Sequence, residues 1–174
     1  MSNKVLVTYA SRTGTTTGVA QAIGKILAKG GIEADVCPME DVHDLAPYRA
    51  VVLGSAIQDA RWLPEATAFV HSYQATLRAM PVAIFTVCMT LAMARSEQYR
   101  EGIAGWLAPV RSLIRPVSEG YFAGRLQIDQ VSSFGERIKF RLSVLFGVWK
   151  EGDHRDWNAI EAWAGELKKH LADR

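Results

Sequence analysis

Short apolar runs alternate with segments of helical period from one end of the chain to the other, and few architectures accept that order. Lys4 to Tyr9 reads as a buried strand. Val19, Ile23, Ile26 and Leu27 then recur at helical spacing, and Gly30-Gly31 ends that helix. Glu33 to Pro38 forms a second strand whose alternation suits a sheet edge. AVVLGSAI from Ala50 is a third strand, and PVAIFTV from Pro81 a fourth. Between these two, Pro64 opens a helix with Ala66, Phe69, Val70, Tyr73 and Leu77 on one face. A helix with Tyr99, Ile103, Trp106 and Leu107 inward follows the fourth strand, and VSEGYFAGRL from Val117 supplies a fifth. Asp156 caps a last helix that turns Trp157, Ile160, Ala164, Leu167 and Leu171 inward.

Such alternation predicts an α/β fold with a parallel sheet covered by helices on both faces. Right-handed crossovers leave the flavodoxin-like strand order 2-1-3-4-5 as the natural one for five strands. At 174 residues the chain suits a single domain. The stretch from Arg125 to Arg155 is too long for an ordinary strand-to-helix connection and reads as an insertion. A net charge of +2 excludes the dense basic stripe of a nucleic-acid binder. Cys37 and Cys88 are far apart, which argues against a disulfide framework or zinc site and for a reducing, cytoplasmic setting. The first strand begins too early to leave room for a signal peptide, and no apolar run reaches the ~20 residues of a membrane span.

In this fold, ligands sit beyond the carboxyl ends of the strands, where the strand order reverses. The joint there reads TYASRTGTTTGVAQAIG. A loop entering a helix offers free N–H groups and the positive end of the helix dipole. The hydroxyls of Ser11, Thr13, Thr15 and Thr16 add donors, and together they make a phosphate cradle that needs little formal charge. Competing motifs fail on spacing. No Lys stands where a triphosphate loop needs one, GxGxxG is absent, and the acidic residues of a response-regulator receiver are missing.

The run Ser11-Arg12-Thr13-Gly14-Thr15-Thr16 resembles the phosphate loop of flavodoxins, which implies FMN. Arg12 either touches the phosphate or points to solvent. A flavin needs two more walls, and the loops after the third and fourth strands supply them. In the first, the small residues Ser55 and Ala56 permit close backbone approach, Ile57 follows them in the wall, and Trp62 either stacks on the ring or packs against the following helix. In the second, Thr86, Val87, Cys88, Met89 and Thr90 alternate apolar cover with hydrogen-bonding groups. Asp153-His154-Asp156 reads as a turn and an N-cap rather than a metal site.

The whole chain resembles the flavodoxin-domain family that includes the short FMN-dependent protoporphyrinogen oxidases of bacteria. YASRTGTTT, YRAVVLGSAI, MPVAIFTV and DWNAIEAWAGEL carry the resemblance. It implies an oxidoreductase that dehydrogenates protoporphyrinogen IX and passes electrons to a quinone-type acceptor, with the flavin carrying the redox chemistry. The alternatives are an electron carrier or quinone reductase of unknown partner, and a binding module without cofactor. Those oxidases carry an insertion at the same place. Here Phe134, Ile138, Leu142, Leu145, Phe146 and Trp149 form an apolar stripe if it is helical, with Arg137, Lys139, Arg141 and Lys150 off the stripe. Such a helix can rest on a membrane surface, cover a quinone or porphyrin, form a homo-oligomer contact, or dock on its own core. Its net charge is only +2, so it is amphipathic rather than strongly cationic.

Overall fold

The computed structural model describes residues 4–93, 96–131 and 133–171. Its elements run β1 (Lys4–Ala10), α1 (Thr15–Lys29), β2 (Glu33–Pro38), β3 (Ala50–Gln58), β4 (Arg61–Trp62), α2 (Pro64–Ser72), α3 (Gln74–Arg78) and β5 (Val82–Cys88). They continue with α4 (Ser96–Trp106), α5 (Ala108–Ile114), β6 (Ser118–Ala123), β7 (Arg125–Leu126), α6 (Phe134–Leu145), β8 (Gly152–Asp153) and α7 (Trp157–Leu171). The sheet order is β2-β1-β3-β5-β6, all parallel, with two-residue β4 pairing antiparallel to the end of β3. Leaving out β4, this is the order 2-1-3-4-5 expected from the alternation, with β2 at an edge.

The strands are apolar on both sides because both sides are covered. Val5, Val7, Val52 and Phe85 point into one layer, against Val19, Ile23 and Leu27 of α1 and Ile160, Ala164 and Leu167 of α7. Leu6, Val51, Leu53 and Ile84 point into the other, against Ala66 and Val70 of α2, Leu77 of α3 and Val110 of α5. Asp156 caps α7 by accepting the Ala159 N–H at 3.0 Å.

One helix boundary and two inward assignments are corrected. The helix from Pro64 breaks at Tyr73 into α2 and α3, and the Tyr73 hydroxyl donates to the Val42 carbonyl at 3.1 Å. Tyr99 is exposed on α4, while Ile103 and Leu107 are fully buried as expected. Trp157 is also exposed, with the Arg155 guanidinium 4.5 Å from its ring centroid.

The insertion leaves the sheet through β7 and returns through β8, which pair as a separate two-stranded ladder. Between them α6 begins at Ser133, whose hydroxyl accepts the Glu136 N–H at 3.5 Å. Phe134, Ile138, Leu142, Leu145 and Phe146 of the expected stripe all face outward and exposed, while Trp149 turns inward. The helix therefore does not dock its apolar stripe on the core.

Candidate functional site

The main cleft, about 480 Å³, opens at the carboxyl ends of β1, β3 and β5 and is extended by the insertion. That volume lies within the usual range for a small-molecule site. Its inner end is the joint between β1 and α1. Gly14 takes φ +76° there, a left-handed conformation that a side chain would strain. It is also the N-cap of α1 and offers no capping side chain, and no acidic residue sits in the first turn. The first N–H groups of α1 are thus left for a ligand.

Ser11, Arg12, Thr13, Thr15 and Thr16 line this end, and the Thr13 and Thr15 hydroxyls lie 3.2 Å apart. The Thr16 Oγ1 is buried and has no partner among the described residues. An orphaned buried hydroxyl costs about 1–3 kcal/mol, and a phosphate oxygen in the turn would satisfy it. Arg12 is held by Glu65 of α2 through both guanidinium nitrogens, Nη2 to Oε2 at 3.0 Å. Its charge is already matched at the rim, so the cradle relies on neutral donors.

Ala56 and Ile57 line the second wall, and Val87, Cys88, Met89 and Thr90 the third. Ser55, Trp62 and Thr86 do not reach the cleft; they build the structure behind it. The Ser55 hydroxyl donates to the Ala56 carbonyl at 2.8 Å and accepts the Leu63 N–H at 3.1 Å, joining β3 to the start of α2. Trp62 lies opposite Ile57 in the β3–β4 hairpin, so its indole turns into the core, 1% exposed. Its Nε1–H donates to the buried Thr86 Oγ1 at 2.9 Å. Packing, rather than stacking on a ring, is the role of Trp62. The hairpin's two turn residues, Asp59 and Ala60, both have positive φ and border the cleft.

The outer half comes from residues that the motifs did not single out. Arg125, Gln127, Gln130, Val131 and Glu136 of the insertion line it, with Phe140 set edge-on to Trp149 at 6.3 Å. Apart from Trp149, the last residue of the apolar stripe, their one sequence signal is the excess length of the Arg125–Arg155 stretch. Trp106 closes the cleft from the end of α4.

A clamp fixes α4 and α5 to the sheet. Arg111 of α5 donates to Glu119 of β6 from Nε (2.6 Å) and Nη2 (2.5 Å), and to the Ala104 carbonyl of α4 at 2.5 Å. The Tyr121 hydroxyl donates to Glu119 at 2.5 Å. Burial pushes the Glu119 carboxyl up, but the hydrogen bonds from Arg111 and Tyr121 outweigh it and hold it below its usual value. Burial and the bond to Glu119 push Tyr121 up to about 12. A carboxylate depressed in the folded state stabilises the fold above its unfolded pKa, and that contribution disappears as pH falls through the folded value. Glu119→Gln is therefore expected to lower stability by about 1–3 kcal/mol at neutral pH and to flatten its dependence on acid. Urea unfolding at pH 7 and below pH 4 measures both effects.

A family model described as Flavodoxin domain matches residues 6–153. The chain belongs to the flavodoxin-domain family. The protoporphyrinogen IX dehydrogenase (quinone) of Leishmania major is 27% identical over 173 residues, covering 95% of this chain and 75% of that protein. A flavodoxin from the domain Archaea superposes with a TM-score of 0.57 at 16% identity, covering 98% of this chain and 99% of the other. A short-chain flavodoxin associated with a non-canonical PDU bacterial microcompartment gives 0.61 at 12% identity, covering 98% and 99%. These structural likenesses establish the fold.

The cofactor of this flavodoxin domain is FMN. The site fits it: an uncapped helix start and an orphaned hydroxyl would hold the phosphate, and apolar side chains of β5 and its following turn would shield the ring from water. FMN supplies hydride and electron transfer when bound. The chain's own groups bind, orient and exclude solvent.

Proposed function

We propose that the protein is an FMN-dependent protoporphyrinogen IX dehydrogenase that passes its electrons to a quinone-type acceptor. One observation carries the reading. The insertion extends the flavin cleft with Leu126, Val131, Phe140 and Trp149 beside Arg125, Gln127, Gln130 and Glu136, a mixed apolar and polar chamber that a carrier exchanging electrons at an exposed edge does not need. The named activity of the Leishmania major relative agrees with it.

Each round removes two electrons and two protons from the porphyrinogen and delivers them to a quinone, which leaves as the quinol. Neither substrate requires an activated nucleophile or a metal, so the chain's task is placement against the ring and exclusion of water. Anaerobic mixing of FMN-loaded protein with protoporphyrinogen IX should bleach the flavin absorbance, and a short-chain quinone should restore it. Bleaching by dithionite but not by protoporphyrinogen would remove the porphyrin substrate. Two well-separated one-electron steps in a reductive titration would favour the electron carrier.

A peripheral lipid contact belongs to the same reading, because long-chain quinones partition into membranes. Of the eight large apolar side chains exposed among the described residues, six lie between Phe134 and Val148. The opposite face of α6 brings Glu136 and Phe140 to the cleft, so one helix would separate lipid from the flavin chamber. No helix among the described residues is long and apolar enough to cross a membrane. Co-sedimentation with anionic vesicles is expected, and Leu142→Asp with Leu145→Asp should abolish it while leaving FMN content unchanged. Loss of a dimer rather than of vesicle binding in that variant would assign the patch to self-association.

A further inference from the structure

We infer that the outer half of the cleft recognises a carboxylate carried on an apolar ring system, and that Arg125 is the group that pairs with it. The inference rests on the proposed porphyrin substrate and names the part of it that would be read, a propionate side chain.

The argument begins with an imbalance in the β7–β8 ladder. Arg125 stands opposite Asp153 in that pair, the natural place for a cross-strand ion pair. Asp153 is taken by another cation. Its Oδ1 accepts the Arg155 Nε at 2.8 Å and the Arg155 N–H at 3.1 Å, and its Oδ2 accepts Arg155 Nη2 at 2.5 Å. Arg155 is fixed there, its side chain 9% exposed and its guanidinium over the Trp157 ring. The hydrogen-bonding capacity of Asp153 goes to Arg155, and Arg125 acts on it only through its charge, without a hydrogen bond.

Arg125 is left facing the cleft. Among the described residues it has no carboxylate in ion-pair range, and its hydrogen-bond partner is the neutral Gln130 Oε1, at 3.4 Å. Gln127 and Gln130 line the cleft beside it, and amides can donate to a carboxylate without competing for the cation's charge. Arg12, the other arginine on the cleft, is matched by Glu65. A half-buried arginine without an ion-paired carboxylate, in the same cleft as the edge-on pair Phe140 and Trp149, suits a ligand that is mostly apolar ring with an acid on its periphery. Asp59 and Glu136 border the same cleft from other elements and oppose an acid there, so any carboxylate that binds depends on pairing with Arg125, because Glu65 already matches Arg12.

The test measures binding of protoporphyrin IX and its dimethyl ester to FMN-loaded protein, followed by quenching of tryptophan emission. The ester keeps the ring and loses both charges. Wild-type protein is expected to bind the acid at least about 10-fold more tightly than the ester. Arg125→Gln should lose about 10-fold for the acid, change little for the ester, and keep its FMN affinity. Arg125→Lys should recover part of the preference. Equal affinity of acid and ester in the wild-type protein overturns the inference without any variant and leaves the proposed dehydrogenase standing. So does an acid preference that persists in Arg125→Gln. Failure of both porphyrins to bind, together with no flavin bleaching by protoporphyrinogen, overturns the dehydrogenase reading and this inference with it.

Discussion

Thr13→Asp is expected to empty the protein of FMN while leaving its fold intact. Thr13 lines the cradle, its hydroxyl 3.2 Å from that of Thr15, just before the Gly14 cap of α1. A carboxylate there lies where the FMN phosphate belongs. Two unit charges about 4 Å apart at an effective dielectric of ~20 repel by about 4 kcal/mol, so the FMN dissociation constant should rise about 10³-fold. Arg12 cannot offset the new charge, because Glu65 already holds it. The apoprotein behaves oppositely. An acidic residue at a helix N-terminus stabilises the helix by about 0.3–1 kcal/mol, and α1 has none in its first turn. Fluorescence titration with FMN and thermal unfolding of the apoprotein measure the two effects separately. Retention of FMN within 10-fold of wild type would mean that the phosphate lies elsewhere.

Thr16→Val tests the same turn with the charge left alone. The valine keeps the shape and removes a buried hydroxyl that has no partner among the described residues, so the apoprotein should gain stability. FMN affinity should fall about 10-fold, the worth of one hydrogen bond to a charged group. Opposite signs in apo stability and cofactor affinity mark a group reserved for a ligand. A loss in both would mark Thr16 as structural.

The parts of this molecule that are legible in its sequence are those whose physics is local. β1, β3 and β5 read as unbroken apolar runs because both of their faces are covered. The hydroxyl-rich turn reads as a phosphate cradle because the glycine, the uncapped helix start and the threonines are consecutive. What was not legible depends on partners far along the chain. Glu65 lies 53 residues from Arg12, and nothing near either residue signals their pairing. Trp62 had two plausible roles, and a two-residue strand too short to show a period decided between them. In α6 the apolar stripe was visible but not its direction. The residues that reach the cleft, Glu136 and Phe140, lie off the stripe, where the pattern gave no reason to look.

Gly54→Val is expected to be the most destabilising single substitution near the site, and its cause lies in one cross-strand pair. Gly54 of β3 stands directly opposite Phe85 of β5, and the ring lies over the glycine. A Cβ on residue 54 would come within 1.9 Å of the ring's Cζ and 2.3 Å of a Cε. The ring has nowhere to go. Phe85 is fully buried, with Trp163 of α7 at a centroid distance of 6.3 Å. Overpacking of this kind typically costs about 1–3 kcal/mol, and a β-branched side chain at so short a contact should reach or exceed the upper figure. For a chain of this length that lowers the melting temperature by about 6–12 °C. Gly54→Ala should cost less, and adding Phe85→Leu should recover more than half of it, giving a coupling of at least about 1 kcal/mol in a double-mutant cycle. The effect reaches the cofactor through the register. Ser55 and Thr86, then Ala56 and Val87, are the next pairs along the same two strands, and Ala56 and Val87 both line the cleft. Forcing β3 and β5 apart at Gly54 therefore widens the flavin site two residues further on. FMN affinity should fall in Gly54→Ala and return in the double variant. Additive stability losses would show that the ring escapes into space absent from this packing.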